Sequence, residues 1–490
     1  MDNQSFLPSS QDFEKVCNIF GVSEFRGKQE IIIKHVIGGS HSLVLMPTGM
    51  GKSLCYQIPA VSLPGICIVI SPLIALMKDQ VAALQKKGVS AVFINSSLGK
   101  AERIDRYSKL KSGDYKILYV SPERFQKKEF LDALSELTVS LLAIDEAHCI
   151  SQWGHDFRPD YTKVAWFREI LGFPTTIALT ATASKRVQAD IITQLGFSKE
   201  EIQIFDNGLF RPNLKLSVVD CFDSESKYKA ILEDLKQSKG ATIIYFSLIG
   251  ELEKFSHWLD TKHKRHIVYH GKLSSEQRNK IQSLFLKSEE GILLATNAFG
   301  MGIDKPNIRN VYHAQISGSI ESYYQEIGRA GRDGFPSDCK LYYCQDDLTV
   351  QMEFIEWQNP DLVYLKKLFH ILLQKQTELS GMDYETLQSL MTYKNKGDHR
   401  IQTALSLLAS KGLISGDMER GTLQIESPWS DSIFSESELL DKKKENQKRL
   451  YQTVLYTKTE DCRRKFIHEY FDSSFDGCGN CDLCLAKIGS

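Results

Sequence analysis

Short apolar runs alternate with helix-like segments over residues 25–205. The runs are continuously apolar for four or five residues, which is typical of parallel strands buried on both faces. They predict strands at Leu43–Met46, Ile66–Ile70, Ala91–Ile94, Ile117–Val120, Leu141–Ile144 and Thr176–Leu179. Strands that alternate with helices predict an α/β fold with a doubly wound parallel sheet, in which ligand phosphates lie at the carboxyl ends of the strands.

A second unit of the same kind follows a stretch at 206–213 that contains Gly208 and Pro212, which we interpret as a linker. Strand-like runs return at Ala241–Phe246, His266–Tyr269, Gly291–Ala295, Asn310–His313 and Lys340–Cys344. We therefore expect a first α/β domain at 1–205 and a second at 206–345.

The pattern becomes mostly helical after residue 345. Helical stripes at Leu362–Gln376, Tyr384–Met391 and His399–Lys411 are followed by a hairpin-like segment that ends at Ile425. Three helices and a hairpin predict a winged-helix-like insert at 346–435, an architecture that serves either DNA contact or protein contact.

The last segment, 436–490, is predicted to be a helical metal-binding subdomain. Its first helix carries a basic run at 441–449, which is either a solvated face or a DNA contact. Four of the eleven cysteines follow, with two overlapping C-x₂-C steps: Cys462, Cys478, Cys481 and Cys484. Four thiolates predict a structural Zn²⁺ site, with an iron–sulfur cluster or unliganded thiols as alternatives.

Composition limits the class of protein. The 490 residues are 42% apolar and 25% charged, which predicts a protein of about three or more domains. The formal net charge is −1, so any nucleic-acid surface must be a local patch. The sequence contains no apolar run long enough to span a membrane, and its N-terminus lacks a signal-peptide core, so we expect a cytoplasmic protein without membrane contact.

Two separate motifs predict a nucleotide site. Residues 46–53 read Met-Pro-Thr-Gly-Met-Gly-Lys-Ser after an apolar strand, so Thr48, Gly49 and Gly51 would form a phosphate-binding turn. Lys52 would reach the β- and γ-phosphates, and Ser53 would ligate Mg²⁺. Met46 replaces the consensus glycine, but Asp145-Glu146 after another strand supply a second Mg²⁺ ligand and a group that prepares water.

The segment after these acids is suited to nucleic acid. Trp153, Phe157 and Arg158 could stack on bases and bind phosphates, and His148 could pass the signal to Glu146. Alternatively, Trp153 is a core aromatic residue and His148 is only structural. The segment predicts a motor that couples ATP hydrolysis to nucleic-acid binding.

The second domain has no phosphate loop of its own but carries Arg329 and Arg332. Arginines without a local phosphate suggest donation across a cleft into the nucleotide of the first domain. Arg329 could instead brace the domain interface.

These motifs together resemble the RecQ-type ATP-dependent DNA helicases of superfamily 2. The match covers about 16–345 and resumes at 436–485. It includes the opening motif around Arg26 and Gln29, the segment 145–160 with its aromatic-rich loop, and the segment Ala295–Pro306.

The resemblance implies two RecA-like domains, with Arg26, Gln29 and Asp304 among the ATP-binding residues. It also implies a DNA helicase that moves 3′→5′ on single-stranded DNA, with ATP, Mg²⁺ and Zn²⁺, in recombination, repair or replication. Single-stranded and 3′-tailed or branched duplex DNA are the expected partners of a monomer. A single-strand-binding protein or topoisomerase is a candidate protein partner, and in a bacterium the helicase would associate with the nucleoid.

The sequence departs from the family pattern in four places. The winged-helix-like segment lies within about 117 residues that separate Cys344 from Cys462, whereas in the family the zinc subdomain usually follows the motor directly. The segment His313–Ser319 lacks the usual Asp and Pro, and Tyr269–Leu273 replaces the commoner His-Ala-Gly-Leu. Because only six residues follow Cys484, we expect the family's accessory C-terminal domain to be missing. An RNA-remodelling ATPase and an ATP-gated DNA-binding scaffold without unwinding activity are the alternative functions.

Overall fold

The structure is a computed structural model that describes residues 10–95, 97–151, 158, 161, 163–300, 305–391, 400–416, 418 and 421–488. Among these residues, no helix is both long enough and apolar enough to cross a bilayer.

The first domain is built on a seven-stranded parallel sheet in the order β3-β4-β2-β5-β6-β1-β7. Its strands are β1 (His41–Leu45), β2 (Ile66–Ile70), β3 (Ala91–Ile94), β4 (Ile117–Val120), β5 (Val139–Ile144), β6 (Thr175–Thr180) and β7 (Ile202–Asp206). Its helices are α1 (Ser10–Phe20), α2 (Gln29–Ile37), α3 (Leu54–Ser62), α4 (Ile74–Lys86), α5 (Lys100–Lys111), α6 (Lys128–Leu134), α7 (Val164–Ile170) and α8 (Lys185–Gln194).

Separate apolar clusters cover the two faces of this sheet. Leu43 and Leu45 belong to one cluster and Val44 to the other, and all three are buried. Burial on both faces explains why the strand sequences are continuously apolar.

The second domain repeats the plan with a six-stranded parallel sheet in the order β10-β11-β9-β12-β13-β8. Its strands are β8 (Leu214–Asp220), β9 (Ala241–Phe246), β10 (Ile267–Tyr269), β11 (Ile292–Thr296), β12 (Ile308–His313) and β13 (Ser337–Tyr343). Its helices are α9 (Ser224–Gln237), α10 (Ile249–Thr261), α11 (Ser275–Lys287) and α12 (Ile320–Ile327). The prediction of an α/β protein with two parallel-sheet domains is confirmed.

The C-terminal third is helical. It contains α13 (Asp346–Gln358), α14 (Leu362–Gln374), α15 (Tyr384–Leu390), α16 (Arg400–Ser410), the two-residue strands β14 (Ile414–Ser415) and β15 (Gln424–Ile425), α17 (Glu436–Lys458), α18 (Arg463–Tyr470) and α19 (Asp482–Ile488). The three helices α14 to α16 and the antiparallel pair β14-β15 match the element order that the sequence predicted for the insert.

Two different cores organise this helical region. Residues of 362–439 form an apolar cluster of their own around Leu368, Leu387 and Leu408. By contrast, Leu450 and Tyr456 of α17 join the core of the second domain. The cysteine-bearing helices are therefore fused to the second domain, while the insert packs mainly on itself.

Candidate active site and metal centre

A cleft of about 550 Å³ lies between the two parallel-sheet domains, at the carboxyl ends of β1 and β5. The first domain lines it with the residues that the sequence singled out for phosphate and metal, and the second domain lines it with the predicted arginines. These residues are Thr48, Gly49, Gly51, Lys52, Ser53, Asp145, Glu146, His148, Arg158, Arg329 and Arg332.

The turn between β1 and α3 has the backbone shape of a phosphate loop. Gly49 and Gly51 adopt positive φ angles of 84° and 79°, which residues with a side chain rarely adopt. The Lys52 Nζ atom is buried and makes no hydrogen bond with any residue that the structure describes. A buried ammonium group without an acceptor is costly, so this turn fits an anionic ligand such as a nucleotide phosphate.

Arg26 and Gln29 lie against this turn from the segment that begins α2. The Gln29 amide nitrogen donates to the Met50 carbonyl at 2.7 Å and to the Gly51 carbonyl at 3.2 Å. An Arg26 guanidinium nitrogen donates to the Gly49 carbonyl at 3.3 Å. Contacts at Gln29 can therefore influence the shape of the phosphate loop.

Asp145 and Glu146 follow directly on β5. Burial and the neighbouring Glu146 together raise the pKa of Asp145 to about 6, although Lys52 acts to lower it. Glu146 has a φ of 50°, a left-handed conformation that is unusual for a residue with a side chain and typical of functional sites. Two crowded carboxyl groups beside a phosphate-binding turn fit a divalent cation, which would offset their repulsion.

His148 connects Glu146, which follows β5, to the neighbouring strand β6. Its Nδ1 atom lies 3.4 Å from Glu146 Oε2 and 3.0 Å from the Thr180 hydroxyl at the end of β6. The imidazole is buried, so these contacts fix its position.

The two arginines of the second domain differ in their surroundings. Arg332 lies against the phosphate loop, since a Cβ atom added to Gly49 would be 3.0 Å from its Cγ atom. Arg329 is buried and donates to the Gly300 carbonyl of its own domain. This contact lies within the second domain, whereas Arg332 reaches across the cleft.

Arg158 is the member of the predicted DNA-sensing set, besides His148, that the structure describes. Its guanidinium donates to the Pro72 carbonyl at 3.1 Å, after β2, and its amide donates to the Cys149 carbonyl at 3.0 Å. Trp153, Phe157 and the predicted ATP-binding residue Asp304 lie outside the described residues.

The four C-terminal cysteines converge on one point. Their sulfur atoms all lie within 4.8 Å of one another, with separations such as 3.4 Å for Cys462–Cys478 and 3.9 Å for Cys481–Cys462. Zn–S bonds of about 2.3 Å in a tetrahedron place sulfurs about 3.8 Å apart, so the cluster fits a single zinc ion. The Cys481 amide lies 3.3 Å from Cys478 Sγ and donates to it, which favours a thiolate.

The predicted linker contains a residue that the sequence analysis did not single out. Arg211 contacts both the phosphate loop and the arginine-bearing loop of the second domain. An arginine beside Pro212 in a short linker was the available signal, but its partners could not be inferred without the fold.

Comparison with known proteins gives three family matches in chain order. Residues 26–191 match the DEAD/DEAH box helicase family, 226–334 the helicase conserved C-terminal domain, and 416–485 the RecQ zinc-binding family. The chain is 38% identical to the ATP-dependent DNA helicase RecQ of Bacillus subtilis (strain 168) over 473 residues, which is 96% of this chain and 66% of that protein. It is 32% identical to the probable ATP-dependent DNA helicase RecS of the same organism, over 95% of this chain and 89% of that protein.

The chain belongs to the RecQ family. Among its RecQ relatives, it spans 66% of the Bacillus protein and only about half of two others, at 51% and 52%. The fold also resembles that of the DEAD-box helicase Mss116 bound to ssRNA and UDP-BeF, with a TM-score of 0.59, 17% identity, and coverage of 91% of this chain and 88% of that one.

One departure from the RecQ pattern now has a structural description. Gln315, in the segment that lacks the usual Asp and Pro, accepts hydrogen bonds from the amides of Ser247 at 2.9 Å and Leu248 at 3.1 Å. These amides precede α10, so Gln315 satisfies backbone donors at the start of that helix. An acceptor is therefore retained at this point of the second domain.

Proposed function

We propose that this RecQ-family chain is an ATP-dependent DNA helicase that translocates 3′→5′ on single-stranded DNA and unwinds duplex or branched DNA. The observation that carries the proposal is that Lys52, Glu146 and Arg332, from two domains, line one cleft. The direction of movement and the choice of DNA rest on family membership.

In the proposed site, Lys52 and the loop amides bind the ATP phosphates, and Arg26 and Gln29 lie nearest the base. Ser53 and Asp145 would hold Mg²⁺, which neutralises phosphate charge when bound. Glu146 orients the attacking water and accepts its proton, with His148 holding the carboxylate in place. Arg332 would stabilise the charge that develops on the transferred phosphoryl group, while Arg329 supports the loop that carries it.

Movement on DNA would follow from opening and closing of this cleft. Arg158 links the end of the segment predicted to contact DNA to Pro72, at the rim of the nucleotide cleft. DNA that binds this segment would therefore act on residues that line the same cleft as Glu146. We assign Cys462, Cys478, Cys481 and Cys484 to a structural Zn²⁺ ion, since four thiolates leave no open position for a substrate.

The first test is ATP hydrolysis without nucleic acid, with single-stranded DNA and with RNA. We expect strong stimulation by DNA alone, which is lost in Lys52→Ala and kept in Lys109→Ala, an exposed lysine on α5. Equal stimulation by RNA would favour an RNA-remodelling ATPase.

The second test is strand displacement on duplexes with either a 3′ or a 5′ tail. The proposal requires displacement of the 3′-tailed substrate in preference to the 5′-tailed one. DNA-stimulated hydrolysis without displacement of either duplex would instead favour the ATP-gated scaffold.

A further inference from the structure

Arg211 lies in the linker between β7 and β8 and has an exposed fraction of only 8%. Its guanidinium group donates to four backbone carbonyls and one side-chain amide, namely Thr48 at 2.7 Å, Gly328 at 3.4 Å, Ala330 at 2.8 Å, Gly331 at 2.9 Å and Asn213 Oδ1 at 3.4 Å. Thr48 belongs to the phosphate loop of the first domain, and residues 328–331 precede Arg332 in the second. One side chain thus joins the two loops that form opposite walls of the cleft.

These contacts use every donor that an arginine has. The guanidinium carries five N–H groups, and two contacts to Nη1, two to Nη2 and one to Nε account for all of them. Arg211 therefore has no donor left for a phosphate, so it acts on the reaction only through the loops that it holds. Lysine, with three donors on one nitrogen, cannot reproduce this planar set of contacts.

The positive charge of Arg211 strengthens its hydrogen bonds to these carbonyl groups. Among the described residues, no carboxylate lies within ion-pair distance of its guanidinium. Burial lowers its pKa, and the nearby Arg332 and Arg464 lower it further. Carbonyl oxygens that bind a buried cation are held more firmly than those that bind a neutral donor.

The cysteine-bearing module holds the backbone of the same linker. Arg464 of α18 donates to the Arg211 carbonyl at 2.5 Å and to the Leu214 carbonyl at 2.6 Å. Asn480, between Cys478 and Cys481, donates to the Pro212 carbonyl at 2.8 Å. These contacts to the backbone of the linker help to fix the direction in which the Arg211 side chain leaves it.

We propose that Arg211 is a positioning residue that aligns the phosphate loop with the Arg332 loop for phosphoryl transfer, and that Arg464 of the cysteine module holds it in place. The inference rests on the proposed ATP hydrolysis between the two domains, and it adds a residue that touches neither nucleotide nor DNA. It predicts that replacing Arg211 affects transition-state stabilisation more than nucleotide affinity. Nucleotide affinity depends mainly on the first domain, whereas stabilisation of the transition state also requires Arg332 to be correctly positioned.

The kinetic test compares wild type, Arg211→Lys and Arg464→Lys in DNA-stimulated ATP hydrolysis. We expect kcat to fall at least about tenfold in Arg211→Lys, with ADP affinity within about twofold of wild type. Affinity for ADP with aluminium fluoride, which mimics the transition state, should fall with kcat. Arg464→Lys should shift the same quantities in the same direction by a smaller factor. Equal losses in ADP and ADP–aluminium fluoride affinity, or no loss in either, would overturn the proposal.

Hydrogen–deuterium exchange of the protein without nucleotide provides a readout that needs no activity. Arg211→Lys should increase exchange in peptides that cover 46–54 and 325–335, and Arg464→Lys should do so to a smaller extent. The control is Arg168→Lys, which replaces an equally buried arginine that donates to the Leu195 carbonyl away from the cleft. Unchanged exchange in both loops would refute the positioning role. If the wild type failed to hydrolyse ATP, the proposed function would fail, while the exchange result would still decide whether Arg211 holds the loops.

Discussion

Replacing Asp145 by Asn should stabilise the nucleotide-free protein while abolishing its proposed catalysis. The carboxyl group is buried next to Glu146, and burial together with this neighbour raises its pKa to about 6 from an ordinary value of 3.8. Asparagine removes the buried charge and keeps the oxygen that accepts a hydrogen bond from the Glu146 amide at 3.0 Å. The substitution therefore removes an electrostatic penalty at little cost in packing.

The size of the penalty follows from the difference between the folded and unfolded pKa. About two pKa units at ~1.4 kcal/mol each give an upper limit of about 3 kcal/mol. An acid whose pKa is raised by folding binds its proton more tightly in the folded state. The penalty is therefore complete above about pH 6, falls to about half near pH 5, and disappears below the unfolded pKa of 3.8.

Thermal unfolding at pH 8 and pH 5, without nucleotide or Mg²⁺, measures this effect. For a domain of this size each kcal/mol corresponds to roughly 2–4 °C, so Asp145→Asn should raise the Tm of the first domain by several degrees at pH 8 and by about half as much at pH 5. Asp105→Asn, at an exposed ion pair on α5, serves as the control and should change little. An unchanged or lower Tm at pH 8, or a larger gain at pH 5, would refute the reasoning.

Three further predictions concern the phosphate loop, the cysteine cluster and a buried ion pair. Lys52→Ala should reduce ATP hydrolysis at least about 100-fold and leave single-stranded DNA binding within about threefold, as fluorescence anisotropy would report; a parallel loss of DNA binding would contradict a role confined to phosphate. Cys478→Ser should lower both the Tm and the zinc content, the latter measured by mass spectrometry. Cys221→Ser, outside the cluster, should leave both unchanged. Full metal occupancy in Cys478→Ser would exclude the assigned ligand set. Lys227→Met should destabilise the second domain by about 3–5 kcal/mol, because it leaves the buried Asp347 carboxylate, 2.8 Å away in the wild type, without its partner. Adding Asp347→Leu should restore much of the lost stability. A double variant as unstable as the single one would rule out this explanation.

The pattern of apolar residues predicts eleven of the thirteen strands in the two sheets, but not β7 and β8, which form one edge of each sheet. Neither β7 nor β8 is among the predicted strands, and the residues between them are interpreted as a linker. β7 has buried residues only at Ile202 and Phe205, and β8 also mixes buried with exposed positions. Each lies at one edge of its sheet and mixes buried with exposed positions, whereas β3 and β10 at the opposite edges have continuously apolar sequences. A search for continuously apolar runs therefore misses β7 and β8, in which exposed residues interrupt the buried ones.

The candidate site divides in the same way. Lys52, Asp145 and Glu146 could be predicted because each follows a recognisable strand and carries its own chemistry. The link from Glu146 through His148 to Thr180 required the strand order, since β5 and β6 are neighbours only in the folded sheet. Arg211 could not be predicted at all, because its function depends on carbonyl groups contributed by two other loops, and any residue can supply a carbonyl.

The distribution of contacts around α17 and α18 indicates which parts can move together. Towards the second domain these helices contribute buried apolar side chains such as Leu450 and Tyr456. Towards the first domain, α17 and the residues that follow α18 make polar contacts, including the Arg186–Glu445 pair at 3.7 Å and a hydrogen bond of 3.1 Å from the Lys185 amide to Asp472. Separating exposed ion pairs costs at most about 1 kcal/mol, whereas exposing an apolar core costs several. We therefore expect the cysteine module to move with the second domain when the cleft opens. Because this module also holds the linker at Arg211, we expect the first domain to rotate about that linker.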